Sequence, residues 1–352
     1  MLVVTNKSFL DGKMIEKLPA RFVSKGGFEV VTLRKKYVMT KKLTEFLSIL
    51  DIGELLKAFS PDLVFVHGLS NLTINQIAHY KMKHKNTVVF VDNHADYNIG
   101  PKTKTLIQKA ARAFWRINTH RNDKWISKYY GVTPWRKAFA EDYYRTPADK
   151  TDTLIMGADD GKIDFLSKSI IRARIREKHN VSDGDFLIVT GGKLDKKKRV
   201  IQLMEACVNI PKVKLLVFGN VLADIKDDFN QLLSNKNIIY IGWMQADAVY
   251  DYFMSADLVA FPGQHSVLWE QACASKTPCI FAKWDGMDHV DHGGNSSFFT
   301  GLDVELIKKD IESLVFTEKY YCMRAIAESP ATDIYLYSSI AKKTIKDYED
   351  LQ

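Results

Sequence analysis

Long apolar runs are missing from this chain of 352 residues, although 46% of its residues are hydrophobic. A transmembrane helix needs about 18 consecutive apolar residues, and no stretch reaches that length. The opening stretch, MLVVTNKSFLDGK, has an apolar run too short for a signal peptide. These absences predict a cytoplasmic chain. Its length allows two domains of ordinary size.

Cysteine is also scarce. The four cysteines are widely spaced, form no CxxC pair and mostly lie in apolar stretches: Cys207, Cys273, Cys279 and Cys322. Disulfide frameworks and zinc clusters are typically marked by paired or closely spaced cysteines. The sequence therefore predicts buried free thiols.

Two ligand-binding motifs are absent. No G-x-G-x-x-G follows the first strand-like run, which disfavours a dinucleotide-binding oxidoreductase. No Asp-x-Asp pair stands at a suitable strand end, although the ADD at residues 158–160 superficially resembles one. The sequence thus predicts neither a bound metal nor a cofactor.

Acidic charge is under-represented in the first half of the chain. Residues 1–165 hold 27 Lys and Arg against 17 Asp and Glu, a formal charge of +10, whereas residues 166–352 hold 23 against 25, or −2. Such asymmetry predicts that the first half faces a polyanion, for which nucleic acid and an anionic bilayer are the usual choices.

What the sequence does contain is a repeated strand-and-helix pattern. Short, continuous, Val-rich runs are typical of strands buried on both faces of a parallel sheet. They occur at residues 1–6, 28–33, 62–68 and 87–93, and again at 185–192, 213–220, 237–243, 256–263 and 277–283.

One further segment interrupts this α/β pattern and another follows it. Residues 150–165, with Gly157 and Gly161, interrupt the alternation and are the predicted linker between two layers. Residues 331–352 predict a closing helix, with Thr332 or Asp333 as its N-cap.

The first chemistry-bearing stretch is TGGKLDKKKRVIQLMEA at residues 190–206. A strand leads through a predicted tight turn at Gly191 and Gly192 into a cationic loop and then a helix. The N–H groups and dipole of a helix N-terminus attract anions, and lysines add charge around a diphosphate. The alternative is a solvated charge run, but lysines at a helix start oppose its dipole by ~0.3–1 kcal/mol each.

The second stretch is FPGQHSVLWEQACASKTPCIF at residues 261–281. Pro262 and Gly263 predict the end of a strand, and Ser266 is the predicted cap of the following helix. Glu270 would lie in the first turn, where a carboxylate is favourable and can also accept two hydroxyl hydrogen bonds from a ribose-like diol. A purely structural, capping Glu is the alternative.

Together the two stretches resemble the retaining glycosyltransferases of family 4, within the group 1 glycosyl transferases of the GT-B fold. In that family GGRL and a following Lys precede a helix, and a Pro-Ser and Glu loop leads into LEAMAxGxPVI. Here GGKLDKKKRVIQLMEA and PGQHSVLWEQACASKTPCI stand in those places. VFG, YIGWM and TPWRKAFAEDYYRTPADKTDTLIMGADD are similar too, so the resemblance covers roughly residues 60–345.

The resemblance implies an α/β fold class, GT-B, with two Rossmann-like domains, a cleft between them and a C-terminal helix that crosses back. Residues 1–160 would form the acceptor-binding domain and residues 161–330 the donor-binding domain. Residues 331–352 would be the helix that packs back on the first domain.

The resemblance also implies a donor site. Lys193 would replace the family's Arg and Lys198 would match its Lys, both gripping the diphosphate, while Glu270 would bind the ribose. The family's first Glu is Pro262 here, so sugar and β-phosphate contacts would pass to the loop before Glu270. The predicted donor-binding set is Gly191, Gly192, Lys197, Gly242, Gln264, His265, Ser266, Val267, Leu268 and Glu270.

A histidine in the first half completes the predicted catalytic set. His94 and Asp96 follow a strand, so they would lie at the carboxyl end of a sheet, where open α/β folds bind ligands. His94 resembles the family's histidine in the interdomain cleft, near the transferred sugar, and would act with Lys193 and Lys198. His67 also ends a strand. A hydrogen-bonded loop histidine is the alternative for His94.

Residues 102–116 predict a basic amphipathic helix. Such a helix can lie at an anionic membrane interface, where each cation adds ~1 kcal/mol and aromatic side chains act as anchors. The predicted acceptor or membrane surface comprises Lys102, Lys104, Lys109, Arg112, Phe114, Trp115 and Arg116. The alternative packs the apolar stripe of this helix against the sheet.

The resulting hypothesis is a metal-independent retaining glycosyltransferase of the hexosyltransferase type, with a UDP-sugar as the favoured donor. Its acceptor would be a glycan, such as an undecaprenyl-diphosphate-linked or other anionic lipid glycan of a cell-surface lipopolysaccharide or capsule, met at the inner face of the cell membrane.

Three alternatives to this hypothesis stay open. They are a GT-B nucleotide-sugar epimerase, an inactive homologue that acts only as a partner, and a nucleic-acid-binding module that uses the basic half. The Glu270 loop and the slightly acidic second half disfavour nucleic acid.

Overall fold

The computed structural model describes residues 1–6, 9–10, 13–14, 20–24, 26–98 and 100–352. The chain forms two compact units. The first contains Met1–Leu154 and Lys346–Gln352, and the second contains Ile155–Ile345.

The first unit combines three small sheets with helices. Its strands are β1 (Leu2–Asn6), β2 (Phe9–Leu10), β3 (Lys13–Met14), β4 (Arg21–Val23), β5 (Glu29–Leu33), β6 (Leu63–His67), β7 (Val88–Asn93), β8 (Lys128–Gly131) and β9 (Thr151–Thr153). Its helices are α1 (Lys41–Leu47), α2 (Gly53–Phe59), α3 (Ile74–Lys83), α4 (Leu106–Asn122) and α5 (Pro134–Phe139). The sheet orders are β1-β5-β4, β2-β3 and β6-β7-β8-β9.

The four-stranded sheet β6-β7-β8-β9 is parallel throughout and carries the core of this unit. Every residue of β7 is buried, as expected for a continuous apolar run covered on both faces. Val89, Val91, Trp115 and Tyr129 belong to one apolar cluster beside this sheet. Because the strands are parallel, β6 and β7 end at the same edge, which brings the residues after them together.

The second unit is a single doubly covered sheet. Its strands are β10 (Phe186–Leu194), β11 (Val213–Val221), β12 (Ile238–Tyr240), β13 (Leu258–Phe261), β14 (Cys279–Phe281) and β15 (Ser296–Phe298). Its helices are α6 (Lys168–Lys178), α7 (Val200–Val208), α8 (Lys226–Leu232), α9 (Val249–Ser255), α10 (Leu268–Ala274), α11 (Val304–Glu312) and α12 (Glu318–Glu328). A last helix, α13 (Tyr337–Glu349), begins in this unit and ends in the first.

The order β12-β11-β10-β13-β14-β15 makes the sheet reverse its winding between β10 and β13. All its pairings are parallel. Successive residues of β10 face opposite sides, since Leu187 belongs to one buried cluster and Ile188 to the other. Open α/β sheets bind ligands outside the carboxyl ends of their strands at such a reversal, so the ends of β10 and β13 are the place to look.

The structure contains a strand at every position where the sequence predicts one, but it corrects three local details. Gly191 and Gly192 lie within β10 and not in a tight turn. The closing helix begins at Tyr337, while Thr332 and Asp333 lie in a preceding 3-10 turn whose cap is Ser329. The unpredicted strands are β2, β3, β4, β8, β9 and β15.

The structure also shows the state of the cysteines and the length of the apolar helices. All four cysteines are free, and burial is found for Cys207, Cys273 and Cys279, whereas Cys322 is exposed, contrary to the prediction. Over the described part of the chain, no helix is both long and apolar enough to span a bilayer.

Within the first unit, the end of α13 is tied to β8 by Asp347. Its carboxylate accepts hydrogen bonds from the Lys128 ammonium and the Tyr130 hydroxyl, both at 2.7 Å. The last residues of the chain are thereby fixed beside the sheet β6-β7-β8-β9.

Candidate functional site

The two chemistry-bearing stretches, about seventy residues apart in the sequence, meet at the carboxyl ends of β10 and β13. The Gln264 amide donates to the Lys197 carbonyl at 3.0 Å, and the Lys198 ammonium donates to the Gln264 carbonyl at 2.6 Å. A Cβ atom on Gly263 would lie 2.3 Å from the Lys198 Cα, so only glycine permits this approach. The structure thus brings together in one site the turn Lys196–Lys198, called here the lysine turn, and the loop before α10, which is residues 262–267.

Glycines form the floor of this site. A Cβ on Gly219 would lie 1.9 Å from the Gly192 carbonyl oxygen, and one on Gly191 would meet the Phe218 ring at 2.5 Å. The Gly219 amide donates to the Gly242 carbonyl at 2.7 Å. These close contacts explain why glycine is required at Gly191 and Gly219 within the sheet, whereas the donor-binding role of Gly191, Gly192 and Gly242 stays a prediction.

Lys198 is the partly buried cation of the site. Burial lowers the pKa of its ammonium to about 8, although the nearby Asp195 carboxylate opposes this shift. Lys193 and Lys197 are exposed. Lys198 is therefore the cation with the strongest electrostatic reason to gain from a bound anion.

Asp195 changes the expected role of the helix N-terminus. Its carboxylate accepts from the Lys197 and Lys198 amides at 3.0 and 3.2 Å, so it caps the 3-10 turn Lys196–Lys198. The helix α7 starts only at Val200, after Arg199 in the left-handed region with φ of 52°. Those amides are thus already used, and the side chains of the turn are left to bind an anion. The acidic residue within the lysine run was the sequence signal for this cap.

Glu270 is fully buried and held between two histidines. The Nε2 atoms of His265 and His289 each lie 2.8 Å from its Oε1 atom. Burial alone would raise the pKa of the Glu270 carboxyl, but these two contacts hold it well below its usual range. Glu270 Oε2 and His289 Nδ1 are buried without a hydrogen-bond partner. The site thus contains a charged, buried carboxylate, and His265 contacts it directly.

One prediction for the loop before α10 is wrong, and the structure draws attention to two residues outside that loop. Ser266 does not cap the helix, because the N-cap is Val267 and it has no side-chain hydrogen bond. His289, missed in the sequence, lies 19 residues after Glu270 in GMDHVDHGG. Trp243, also missed, is 67% exposed directly after Gly242. A large exposed aromatic beside a glycine at a strand end was the available signal for it.

In the first unit, Asp92 joins two histidines at the carboxyl ends of β6 and β7. Asp92 Oδ2 lies 3.1 Å from His67 Nδ1 and 3.0 Å from His94 Nε2, while Asp92 Oδ1 accepts from the Gly68 amide at 2.9 Å. Burial alone would raise the pKa of Asp92, but the histidine contacts lower it to about 2. The same hydrogen bond raises the pKa of His67. Asp96 does not join them and pairs with the buried Arg136.

The predicted basic surface on α4 is only partly present. Trp115 is 3% exposed and packs against Phe46, so it is a core residue and not a membrane anchor. The Arg112 and Arg116 guanidinium groups both donate to the Asp142 carbonyl. These two arginines therefore also fasten α4 to the turn at residues 140–144.

Other side chains of α4 and the loop before it do face solvent. Leu106 is 83% exposed and Ile107 is 82% exposed, where the alternative interpretation would bury them. Lys104, Lys109 and Phe114 are exposed as predicted, and the exposed Lys102 donates to the Tyr97 and Asn98 carbonyls. The apolar tip of this surface is thus at the start of α4.

Comparison with known proteins adds a family-level similarity. Residues 171–326 match the family model of Glycosyl transferases group 1. An uncharacterized glycosyltransferase of Methanocaldococcus jannaschii is 22% identical over 223 residues. That match covers 58% of this chain and 55% of the relative, so it spans little more than half of that protein.

Solved structures are similar over most of the chain. A glycosyltransferase from Rickettsia africae has a TM-score of 0.66 and 14% identity, covering 91% of this chain and 85% of its own. Sucrose-phosphate synthase from Thermosynechococcus elongatus has a TM-score of 0.65 and 15% identity, covering 96% and 86%. Anabaena HepE, in complex with UDP and glucose, has a TM-score of 0.61 and 16% identity, covering 90% and 85%. At these identities the likeness shows the fold, which is GT-B with two Rossmann-like domains.

Proposed function

Residues 171–326 of this chain are a group 1 glycosyl transferase domain, and from this premise we propose that the protein is a retaining glycosyltransferase of family 4. It moves a sugar, as a hexosyltransferase, from a nucleotide diphosphate donor to an acceptor hydroxyl. The observation that carries the proposal is the junction of the lysine turn with the loop before α10, where the Lys198 ammonium donates to the Gln264 carbonyl at 2.6 Å.

The chemistry follows from where charge develops. As the anomeric bond breaks, negative charge grows on the leaving diphosphate, and cations that face it lower the barrier. Lys198, which is partly buried, and Lys193, which is exposed near the end of β10, supply this charge in the place of a metal ion. His94 remains the proposed contact to the transferred sugar.

A UDP-sugar is the proposed donor. Anabaena HepE, which shares the fold, is solved with UDP and with UDP-glucose. In this chain the exposed Trp243 offers a face on which a nucleobase can stack, and it directly follows Gly242 in the loop after β12, which ends at Tyr240. Glu270, the proposed ribose ligand, is fully buried against His265 and His289, so contact with a ribose requires these side chains to move.

The proposed acceptor is an anionic lipid-linked glycan, met at the inner face of the cell membrane. Thr103, Lys109, Arg112, Ala113 and Arg116 line a hollow of about 290 Å³ in the first unit. Three cations around one hollow suit the diphosphate of such an acceptor. Leu106 and Ile107 protrude beside it and would enter the headgroup layer of an anionic membrane.

Calorimetric titration tests the donor site. We expect UDP to bind, Lys198→Met and Lys193→Met each to weaken binding by about 1.5–3 kcal/mol, and Lys226→Met to leave it unchanged. Lys226 is the matched control because it is an exposed lysine at the start of α8 in the same unit. If Lys198→Met and Lys193→Met both bind UDP with the wild-type affinity, the proposed donor site is wrong.

Turnover separates transfer from the alternatives. We expect UDP release from a UDP-sugar only when an acceptor is supplied, with retention of the anomeric configuration by nuclear magnetic resonance. Conversion of the donor into its epimer in the absence of acceptor would instead support the epimerase.

A further inference from the structure

We propose that His67, Asp92 and His94 form a binding site for a divalent transition-metal ion of the zinc class. The site lies in the first unit, and the donor chemistry proposed for Lys193 and Lys198 does not require it. Because His94 would ligate the ion through Nε2, the sugar contact proposed for His94 applies to the protein without the ion. Imidazole nitrogens with a carboxylate oxygen are a ligand set suited to zinc and its neighbours in the first transition row.

The geometry fits such an ion. In a tetrahedral zinc site the bonds from the metal to its ligand atoms are about 2.0–2.1 Å long, so two ligand atoms lie about 3.3 Å apart. Asp92 Oδ2 lies 3.1 Å from His67 Nδ1 and 3.0 Å from His94 Nε2, and the potential ligand atoms all lie within 4.8 Å of one another. The His67 and His94 rings lie close together, with centroids 4.3 Å apart, so both imidazoles reach the same side of Asp92 Oδ2.

The backbone prepares these three ligands. His67 is the last residue of β6, and β7 pairs with β6 in parallel register so that His67 stands opposite Asp92. The Gly68 amide holds Asp92 Oδ1 at 2.9 Å, which leaves Oδ2 for the ion. A hydrogen bond to the second carboxylate oxygen is the kind of outer contact that orients metal ligands.

Access also favours this cluster over the other group of similar composition. The His67 side chain is 74% exposed, so an ion can enter and a fourth position stays open to water or a ligand oxygen. In the second unit, His265, Glu270 and His289 are almost fully buried, and both nitrogen-to-oxygen distances are 2.8 Å. Their burial leaves no path by which an ion can enter, whereas the Asp92 contacts at 3.0 and 3.1 Å are hydrogen bonds that an entering ion would replace.

Titration with Co²⁺ tests the site directly. The protein is prepared without a histidine tag, stripped with EDTA, and followed by the visible absorption of coordinated Co²⁺, with Zn²⁺ as competitor. We expect one Co²⁺ per chain, displaced by Zn²⁺. We expect His67→Ala, His94→Ala and Asp92→Asn each to weaken binding by at least about tenfold.

Two variants serve as matched controls. His79→Ala removes an exposed histidine from α3 of the same unit and should bind Co²⁺ normally. His289→Ala disables the buried cluster and should also bind normally. His67→Ala is the variant least able to disturb folding, because its side chain is mostly outside the core.

Several outcomes would overturn the proposal. They are an absence of saturable Co²⁺ absorption, binding that survives both His67→Ala and His94→Ala, and binding lost only in His289→Ala. UDP titration of the same preparations keeps the two proposals separate, because the metal site can fail while donor binding in the second unit persists.

Discussion

At the scale of single residues, the proposed site depends on one partly buried cation and one fully buried carboxylate. Lys198 is a cation whose pKa is lowered by burial, and Glu270 is a carboxylate whose charge is maintained by two histidines. Both are charged near pH 7, and each loses its charge on a different side of neutrality. The pH dependence of binding and of stability therefore distinguishes their roles.

Binding of UDP should weaken as the pH rises from 7 to 9. The pKa of Lys198 in the free protein is about 8, so its side chain is a charged ammonium below this pH and a neutral amine above it. The terminal phosphate has its second pKa near about 6, so the ligand keeps its charge over this range. Titration calorimetry should show Kd rising above pH 8 in the wild type.

Lys198→Arg is the control for this prediction. Arginine stays protonated throughout the range, so the pH dependence of Kd should largely disappear even if affinity changes. An unchanged slope in this variant would assign the titration to another group.

Glu270→Gln should lower the free energy of unfolding at pH 7 by about 1.5–3 kcal/mol, the cost of losing hydrogen bonds to a buried charge. The folded pKa of Glu270 lies below its ordinary value of 4.5, so its stabilisation is present above pH 4.5 and is lost as the pH falls toward the folded pKa. Urea unfolding should therefore show the difference between wild type and variant shrinking below pH 4.5. A difference that grows on acidification would contradict this account.

At the scale of elements, α4 has two faces with different tasks. Trp115 packs into the core of the first unit, and Leu106 and Ile107 protrude at the start of the helix. The predicted membrane surface therefore lies at the N-terminal end of the helix and not at its aromatic pair.

Trp115→Ala should destabilise the protein by about 3–5 kcal/mol because it empties a buried site, as urea unfolding would measure. Leu106→Asp should change stability by less than about 0.5 kcal/mol because the side chain is exposed. Leu106→Asp should nevertheless reduce co-sedimentation with phosphatidylglycerol vesicles, with phosphatidylcholine vesicles as the reference. Equal vesicle binding by Leu106→Asp and wild type would refute the membrane role of this tip.

The contact between the end of β13 and the lysine turn is a second element-scale feature. Gly263→Ala would place a Cβ 2.3 Å from the Lys198 Cα, so the two segments must separate. We expect a stability loss of about 1–3 kcal/mol and weaker UDP binding. Gly184→Ala is the matched control, since its Cβ would meet nothing closer than 4.0 Å. Normal UDP affinity in Gly263→Ala would mean that this contact does not position Lys198.

At the scale of the whole molecule, the two units carry different charge and different candidate sites. The proposed donor-binding residues Lys193, Lys198 and Glu270 all belong to Ile155–Ile345, whereas His94 and the predicted basic surface belong to the first unit. UDP should therefore stabilise the second unit and leave the stability of the first unit unchanged.

UDP at about a hundredfold excess over Kd stabilises the state that binds it by ~2.7 kcal/mol. Hydrogen exchange followed by mass spectrometry should show slower exchange in β10, β11 and β13, and no change in β6, β7 and β8. The same experiment on Lys198→Met should show no protection at matched UDP concentration. Protection confined to the first unit would reverse the assignment of donor and acceptor units.

The sequence by itself determined the local elements and the family similarity. The strands at β1, β5, β6, β7 and β10 to β14 were predicted because each contains a short apolar run, which is a property of neighbouring residues. Burial on both faces does not extend to β6, where Phe65 is 41% exposed. The two motif stretches likewise indicated the group 1 glycosyl transferases, which the match over residues 171–326 confirms. Strands β8 (KYYG) and β9 (TDT) contain no continuous apolar run, so they carry no such pattern.

Only the tertiary structure decided which polar groups meet. Asp195 occupies amides expected to face the ligand, Glu270 lies between two histidines, and Trp115 enters the core. His289 and His67 join their carboxylates from 19 and 25 residues away. Such partnerships depend on the course of the backbone between the partners, because two side chains far apart in sequence meet only where strand order and loop path bring them to the same edge of a sheet.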